Sequence, residues 1–147
     1  MVLIRHTITT PGAGDPPGMR LNDCSTQRNL TDEGRAHARR IGDEWKKRAI
    51  PLERVLSSPW CRCLETAKLA FGTAEISEAL GNVFGRPDIR DRQLRDLSAL
   101  VGKHSGTSNL VLVTHGSTIA ALTGVNPATG EMVILSRGEL AGRLLLP

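Results

Sequence analysis

The sequence predicts an α/β fold: three layers, α/β/α, around a mostly parallel central sheet with an antiparallel closing strand, in a single domain over residues 1–147. Three observations predict it. Short uninterrupted apolar runs (Val2-Leu3-Ile4, Val55-Leu56 and Leu110-Val111-Leu112-Val113) alternate with stretches whose apolar residues recur at helical spacing. The runs lack the in–out alternation of a half-wet sheet, so they suit strands covered on both faces. The C-terminal segment then repeats strand, turn, strand, which closes the sheet with a hairpin.

Val2-Leu3-Ile4 is the first strand and stops at Arg5-His6-Thr7. Residues 8–29 show no periodicity and carry Pro11, Gly12, Gly14, Pro16, Pro17 and Gly18. A long loop of this kind in a compact domain is usually functional. Thr31 is the N-cap of the first helix, and Asp32 and Glu33 suit the positive end of its dipole. Ala38, Ile41, Trp45 and Ala49 make its buried stripe. Arg35, His37, Arg39, Lys46 and Lys47 fall on the wet side, and Pro51 follows the end.

Residues 54–58 form the second strand. Pro59 opens the second helix as its first residue, and Gly72 stops it after Phe71. Residues 73–88 carry no clear pattern. Ile89, Leu94, Leu97 and Val101 recur as a helix over 89–102. Residues 109–113 are the strongest strand. It ends in Thr114-His115-Gly116, with Ser117 as cap of a short helix to Leu122. Residues 131–135 and 140–146 are the last two strands, around Ser136-Arg137-Gly138.

Composition narrows the function classes. With 39% hydrophobic and 23% charged residues the chain is neither disordered nor built for a membrane interior. Aromatics are 3%, with no Tyr, too few for the stacking platforms that bind single-stranded nucleic acid, so neither nucleic acid nor membrane is an expected partner. The net charge is +4, and of 19 basic residues only Lys46, Lys47, Lys68 and Lys103 are Lys. An Arg-rich surface fits an anionic partner, and phosphate best of all. The chain enters its first strand directly, with no basic region and no cleavage site. That fits a cytoplasmic protein as the chain stands, or an exported one if its N-terminus has been trimmed. Cys61-x-Cys63 is too close for a zinc knuckle and no second pair follows. Cys24 can pair with one of the other two if the protein is exported; otherwise Cys61 and Cys63 serve packing.

Three strands end in polar residues that suit no core: Arg5-His6, Ser57-Ser58 just before Arg62, and Thr114-His115. In an open parallel sheet, sites lie at the carboxyl ends of strands. If these three strands are neighbours, two Arg and two His meet there, together with the free N–H groups of two helix N-termini. Arg supplies permanent charge to non-bridging phosphate oxygens, and a His can accept the phosphoryl group. No Walker loop, nucleophile elbow or Asp-rich metal cluster is present. Arg28, in the long loop, either reaches the substrate or makes a surface ion pair, the ion pair being the favoured role.

Taken together, the motifs resemble a known family. Ile4-Arg5-His6-Thr7 resembles the R-H-[GA] signature of the histidine phosphatase superfamily, also called phosphoglycerate-mutase-like. Leu30-Thr31-x-x-Gly34 resembles its L-[ST]-x-x-G helix start. Ser57-Ser58-Pro59-x-x-Arg62-x-x-x-Thr66-Ala67 resembles its S-S-P-x-x-R-x-x-x-T-A motif, and Val113-Thr114-His115-Gly116 its V-[ST]-H-G motif. The matches follow the family's order from residue 2 to about residue 125, and the size resembles the family's short branch. The resemblance implies a phosphatase with no metal and no cofactor. In it His6 is the phosphorylated nucleophile, and Arg5, Arg62 and His115 form the phosphate pocket, His115 also taking part in catalysis. It implies a phosphorylated small molecule or a phosphohistidine protein as substrate. The alternative is a non-catalytic phosphate-binding module of the same fold.

Two departures bear on the chemistry. Thr7 stands where the family usually has Gly or Ala, so it either crowds the pocket or bonds within it. Leu80-Gly81-Asn82 places Asn82 where many members carry a proton-donating Glu in an L-x-E segment. Asp15, Asp23 and Glu78 are then the candidate proton donors.

Overall fold

The opening apolar run becomes β1 (Val2–Arg5) in the computed structural model, which describes residues 1–147. It is followed by α1 (Asp32–Lys47), β2 (Leu52–Ser57), α2 (Cys61–Phe71), the short β3 (Glu75–Ile76), α3 (Pro87–Lys103), β4 (Asn109–Thr114), α4 (Gly116–Thr123), β5 (Met132–Ser136) and β6 (Glu139–Leu144). The six strands form one sheet in the order β3-β2-β4-β1-β5-β6. β1, β2, β3 and β4 run parallel, whereas β5 is antiparallel to β1 and β6 to β5. The two-residue turn of the closing hairpin uses Arg137 (φ 52) and Gly138 (φ 83), the double positive φ that matches the twist of paired strands.

Alternation along the strands divides the core between two faces. Val2 and Ile4 join Val55, Val111 and Val113 against Ile41 and Trp45 of α1 and Cys63, Ala67 and Ala70 of α2. Leu3 points the other way, with Leu56, Leu110 and Leu112, against Leu97 and Val101 of α3 and Ile119 of α4. A strand covered on both sides needs apolar residues at every position, which is why these runs are unbroken. This is the three-layer arrangement expected from the sequence. No helix is long and apolar enough to cross a membrane.

The start of α1 follows its sequence signals. Thr31 Oγ1 accepts from the Gly34 N–H at 3.0 Å, and the Thr31 N–H donates to the Ile8 carbonyl at 3.0 Å. A Cβ on Gly34 would lie 2.0 Å from that same carbonyl, so the loop after β1 can cross α1 only because Gly34 has none. This close crossing brings the long loop back to the carboxyl end of the sheet.

Local details differ from the sequence expectation at four places. Ala49 lies beyond the end of α1, exposed and at φ 49, not in the buried stripe. His37 is buried, not solvated: its Nε2 lies 3.1 Å from the Leu146 carbonyl, because the C-terminal tail crosses that face of α1. Pro59 precedes α2 by two residues, and Trp60 is the N-cap. Ser117 lies inside α4, whose N-cap is His115.

Candidate active site

The order β2-β4-β1 makes the three polar strand ends neighbours. The His6 N–H donates to the Thr114 carbonyl at 3.0 Å and the Ser58 N–H to the Val113 carbonyl at 2.9 Å. Arg5, His6, Arg62 and His115 consequently line one cavity of about 340 Å³, with Arg28, Asn82 and Ser117 further round its wall. The rings of His6 and His115 meet edge to face, 5.6 Å apart.

His6 is 3% exposed and its Nδ1 lies 2.9 Å from the Thr7 carbonyl. A carbonyl only accepts, so Nδ1 carries the proton and Nε2 keeps its lone pair. Nε2 has no protein partner. Burial, reinforced by the charges of Arg62, Arg5 and Arg28 and only partly opposed by the Thr7 bond, pushes the His6 pKa down to about 3. The ring is therefore neutral at physiological pH.

His115 is oriented from both sides. Its Nε2 meets Ser58 Oγ at 2.8 Å and its Nδ1 faces Arg62 Nη2 at 3.4 Å. A guanidinium only donates, so Nδ1 accepts and Nε2–H donates to Ser58. Burial, then His6 and Arg62, holds the His115 pKa well below the usual imidazole range. Cys63 packs beneath it, with Sγ 3.6 Å from Nε2, and burial raises its thiol to about 12.

Arg5 reaches the cavity from the end of β1. Its Nη1 donates to the Pro127 carbonyl at 2.8 Å, while its Nε is buried without a partner. A Cβ on Gly116 would stand 3.1 Å from that Nε, so Gly116 leaves Arg5 its place. Arg62 is 1% exposed and its Nε is also buried and unpartnered. Buried donors without acceptors are costly, and both of these belong to arginines that line the same basic cavity. No three His, Cys, Asp or Glu side chains lie together as a metal centre requires.

Asp15 lies against Arg62, not in the lining of the cavity. Its Oδ1 is 2.7 Å from Nη1 and its Oδ2 is 3.2 Å from Nη2; Trp60 Nε1 (3.0 Å) and the Arg28 N–H (3.1 Å) also donate to it. Burial alone would raise its pKa, but these donors outweigh burial and hold the carboxyl below its usual range. Asp23 binds Arg20 and Ser25 at the surface, and Glu78 is at the start of a short 3-10 turn; neither lines the cavity. Thr7 is fully buried and faces Thr66, with its N–H 3.2 Å from Thr66 Oγ1, so it does not crowd the pocket.

Arg28 makes no surface ion pair, the favoured expectation, but takes the other expected role: it lines the cavity, donating to the Gly14 carbonyl at 2.8 Å and to Thr9 Oγ1. The loop that carries it is tied to α2 by a Cys24–Cys61 disulfide, with Cα atoms 5.8 Å apart, so Cys61 is a cross-link and only Cys63 is a packing residue. Residue type alone singles out none of Ser58, Ser117 and Pro127 for the site. Of the three only Ser58 carries a signal, its place in the Ser-Ser-Pro motif.

The sequence model for the histidine phosphatase superfamily, branch 1, matches residues 1–83. No curated protein matches the chain by sequence. Solved structures match it over nearly its whole length. The protein histidine phosphatase SixA complexed with tungstate is 21% identical, with a TM-score of 0.60, covering 97% of this chain and 94% of its own. A phosphoglycerate mutase from Thermus thermophilus is 22% identical, with a TM-score of 0.63 and coverage of 99% and 98%. The mycobacterial glucosyl-3-phosphoglycerate phosphatase Rv2419c is 19% identical, with a TM-score of 0.62 and coverage of 90% and 87%.

Proposed function

Because the chain belongs to branch 1 of the histidine phosphatase superfamily, we propose that it is a phosphatase that works through a phosphohistidine on His6 and needs no metal ion. The observation that carries this reading is the neutral His6, its Nε2 lone pair free, beside two arginines with unpartnered Nε–H groups. Nε2 attacks phosphorus, and the bond from phosphorus to the leaving atom breaks with its electron pair going to that atom. Arg5 and Arg62 hold the non-bridging oxygens, so guanidinium groups supply the charge, while His115 beside them accepts from Arg62 Nη2 and orients it. The Thr7 carbonyl steadies the Nδ1–H as the ring becomes positive. Water then attacks phosphorus and returns the electron pair to Nε2.

Within this reading the substrate is a phosphomonoester or a phosphoramidate. One observation favours a phosphohistidine protein: none of the fourteen residues lining the cavity is Asp or Glu. An alkoxide leaving group needs a proton from the enzyme, whereas an imidazole protonated on its other nitrogen leaves neutral.

Single-turnover trapping with 4-nitrophenyl phosphate and with a phosphohistidine protein tests the proposal. Phosphate bound to His6 in the wild type, absent in His6→Ala together with a loss of several orders of magnitude in rate, supports it. No phosphoenzyme with either donor, alongside retained vanadate binding, leaves the non-catalytic phosphate-binding module.

A further inference from the structure

Asn82 is 8% exposed and lies in the wall of the cavity that holds His6. Its orientation is fixed by its neighbours. The Phe84 N–H, which can only donate, is 3.1 Å from one terminal atom of the amide, so that atom is Oδ1. Ser117 Oγ is 2.8 Å from the same oxygen and donates to it as well. Both lone pairs of Oδ1 are used, and the Nδ2 group has no acceptor anywhere in the protein.

The backbone beneath Asn82 is held firmly. The Leu80 carbonyl accepts from Thr114 Oγ1 at 2.5 Å, and the Gly81 carbonyl accepts from Thr118 Oγ1 at 2.8 Å and from Gln93 Nε2. The amide is therefore a pre-oriented donor. Arg5, His6 and His115 at the strand ends, with Arg62 reaching them from the first turn of α2, account for the phosphoryl group. Phe84, two residues beyond Asn82, is 56% exposed and packs near Gly14 at the rim. Asn82 thus lies between the strand ends and the mouth, where the group bonded to phosphorus has to project.

We propose that Asn82 Nδ2 donates a hydrogen bond to the leaving atom of the phosphoryl donor and so selects leaving groups that depart without a proton from the enzyme, imidazole-type nitrogen above all. The inference rests on the phosphatase reading above. As the bond from phosphorus to the leaving atom breaks, the electron pair stays on that atom and the amide N–H stabilises it. The amide keeps its proton; a ring already protonated on its far nitrogen leaves as neutral imidazole, and an oxyanion is protonated later by water. An amide can support developing charge in this way but cannot act as a general acid.

The test is the dependence of kcat/KM on leaving-group pKa, measured with a series of aryl phosphates and with phosphoimidazole, for the wild type, Asn82→Ala and Asn82→Asp. The wild type should show a steep dependence. Asn82→Ala should lose roughly tenfold more on the poorest aryl leaving group than on the best, with vanadate inhibition unchanged. Asn82→Asp has nearly the same shape and can keep the Phe84 and Ser117 bonds, so it also covers the case in which the Ala variant does not fold. It should be the slower enzyme at neutral pH, where its carboxylate repels the phosphoryl group. It should gain an acidic optimum and a shallower dependence once its carboxyl is protonated and can transfer a proton.

Parallel leaving-group plots for wild type and Asn82→Ala overturn the proposal, as does an Asn82→Asp pH profile identical to that of the wild type. A loss in Asn82→Ala matched by weaker vanadate binding also overturns it, by placing the amide on a non-bridging oxygen. If the wild type forms phosphohistidine but the plots are parallel, only this inference fails; if it forms none with any donor, both readings fall.

Discussion

Asp15 and Arg62 form a bidentate ion pair, at 2.7 and 3.2 Å, across 47 residues of chain. Arg62 is 1% exposed, and burying a guanidinium without a counter-charge is prohibitive. Asp15 supplies that charge while leaving the Nε of Arg62 unpartnered. One carboxylate from the long loop between β1 and α1 thus sets the orientation of a side chain that begins in the first turn of α2.

Asp15→Asn should therefore destabilise the protein by about 3 kcal/mol, the cost of an unpaired buried charge. Phosphate or vanadate should restore more stability to the variant than to the wild type, because the anion then becomes the main partner of Arg62. Thermal melts with and without vanadate measure both effects. The same variant examines Asp15 as a proton donor. A carboxyl held below its usual range is ionised at neutral pH, so any loss of rate should be equal across leaving groups. A loss confined to alkyl phosphates would make Asp15 the acid.

Arg62→Lys keeps one positive charge but loses the fork that grips Asp15 and the Nε–H beside the cavity. The inhibition constant of vanadate should rise roughly 10–100-fold, and the turnover rate should fall with it. An unchanged constant would take Arg62 out of the anion site.

Acid should destabilise the fold through its two buried histidines. In the native state His6 titrates at about 3 and His115 well below its ordinary value, while both titrate near 6.5 in the unfolded chain. Between those values the unfolded state binds more protons, so stability rises with pH, is complete above about 6.5, and is lost as pH falls below it. Each histidine contributes about 1.4 kcal/mol per pH unit in that window. Melting temperatures from pH 8 to 4.5 in phosphate-free buffer should show this slope, and His6→Gln should roughly halve it. Equal slopes in the two proteins would mean that His6 is charged in the native state.

Reduction of Cys24–Cys61 should cost about 4 kcal/mol in the chain-entropy account of a loop closed over a sequence separation of 37. It should also loosen the segment that carries Asp15, Gln27 and Arg28, of which Gln27 Oε1 otherwise accepts from the Cys61 N–H at 3.0 Å. Cys24→Ser, or a dithiol added to the wild type, should lower the melting temperature and weaken vanadate binding together. A reduced protein that melts at the same temperature would show that the loop is held by its hydrogen bonds alone.

Much of the fold was legible in the residues because its signals are local. Unbroken apolar runs mark strands covered on both faces, and Thr31 with Gly34 marks the start of α1 wherever α1 comes to lie. The misplacements have a common cause. His37 lies on a helix face rich in Arg, and nothing within α1 reveals that the Leu146 carbonyl arrives on top of it. Arg28 looks like a surface arginine because its partners, the Gly14 carbonyl and Thr9 Oγ1, carry no distinctive residue type.

By itself the sequence determined which side chains stand at the ends of β1, β2 and β4: Arg5-His6, Ser57-Ser58 and Thr114-His115. That information lies within a few residues of each strand, where backbone periodicity and breakers act. The packing of the whole chain set the rest: that β4 lies between β1 and β2, that Cys24 meets Cys61 and not Cys63, that Asp15 goes to Arg62, and that Asn82 Oδ1 is taken up by Phe84 and Ser117. Each of these joins segments distant in sequence, several of them through a loop with no periodicity. Such contacts are selected by the packing of the whole chain and by the need to satisfy every buried charge and donor, conditions that no local stretch of residues contains.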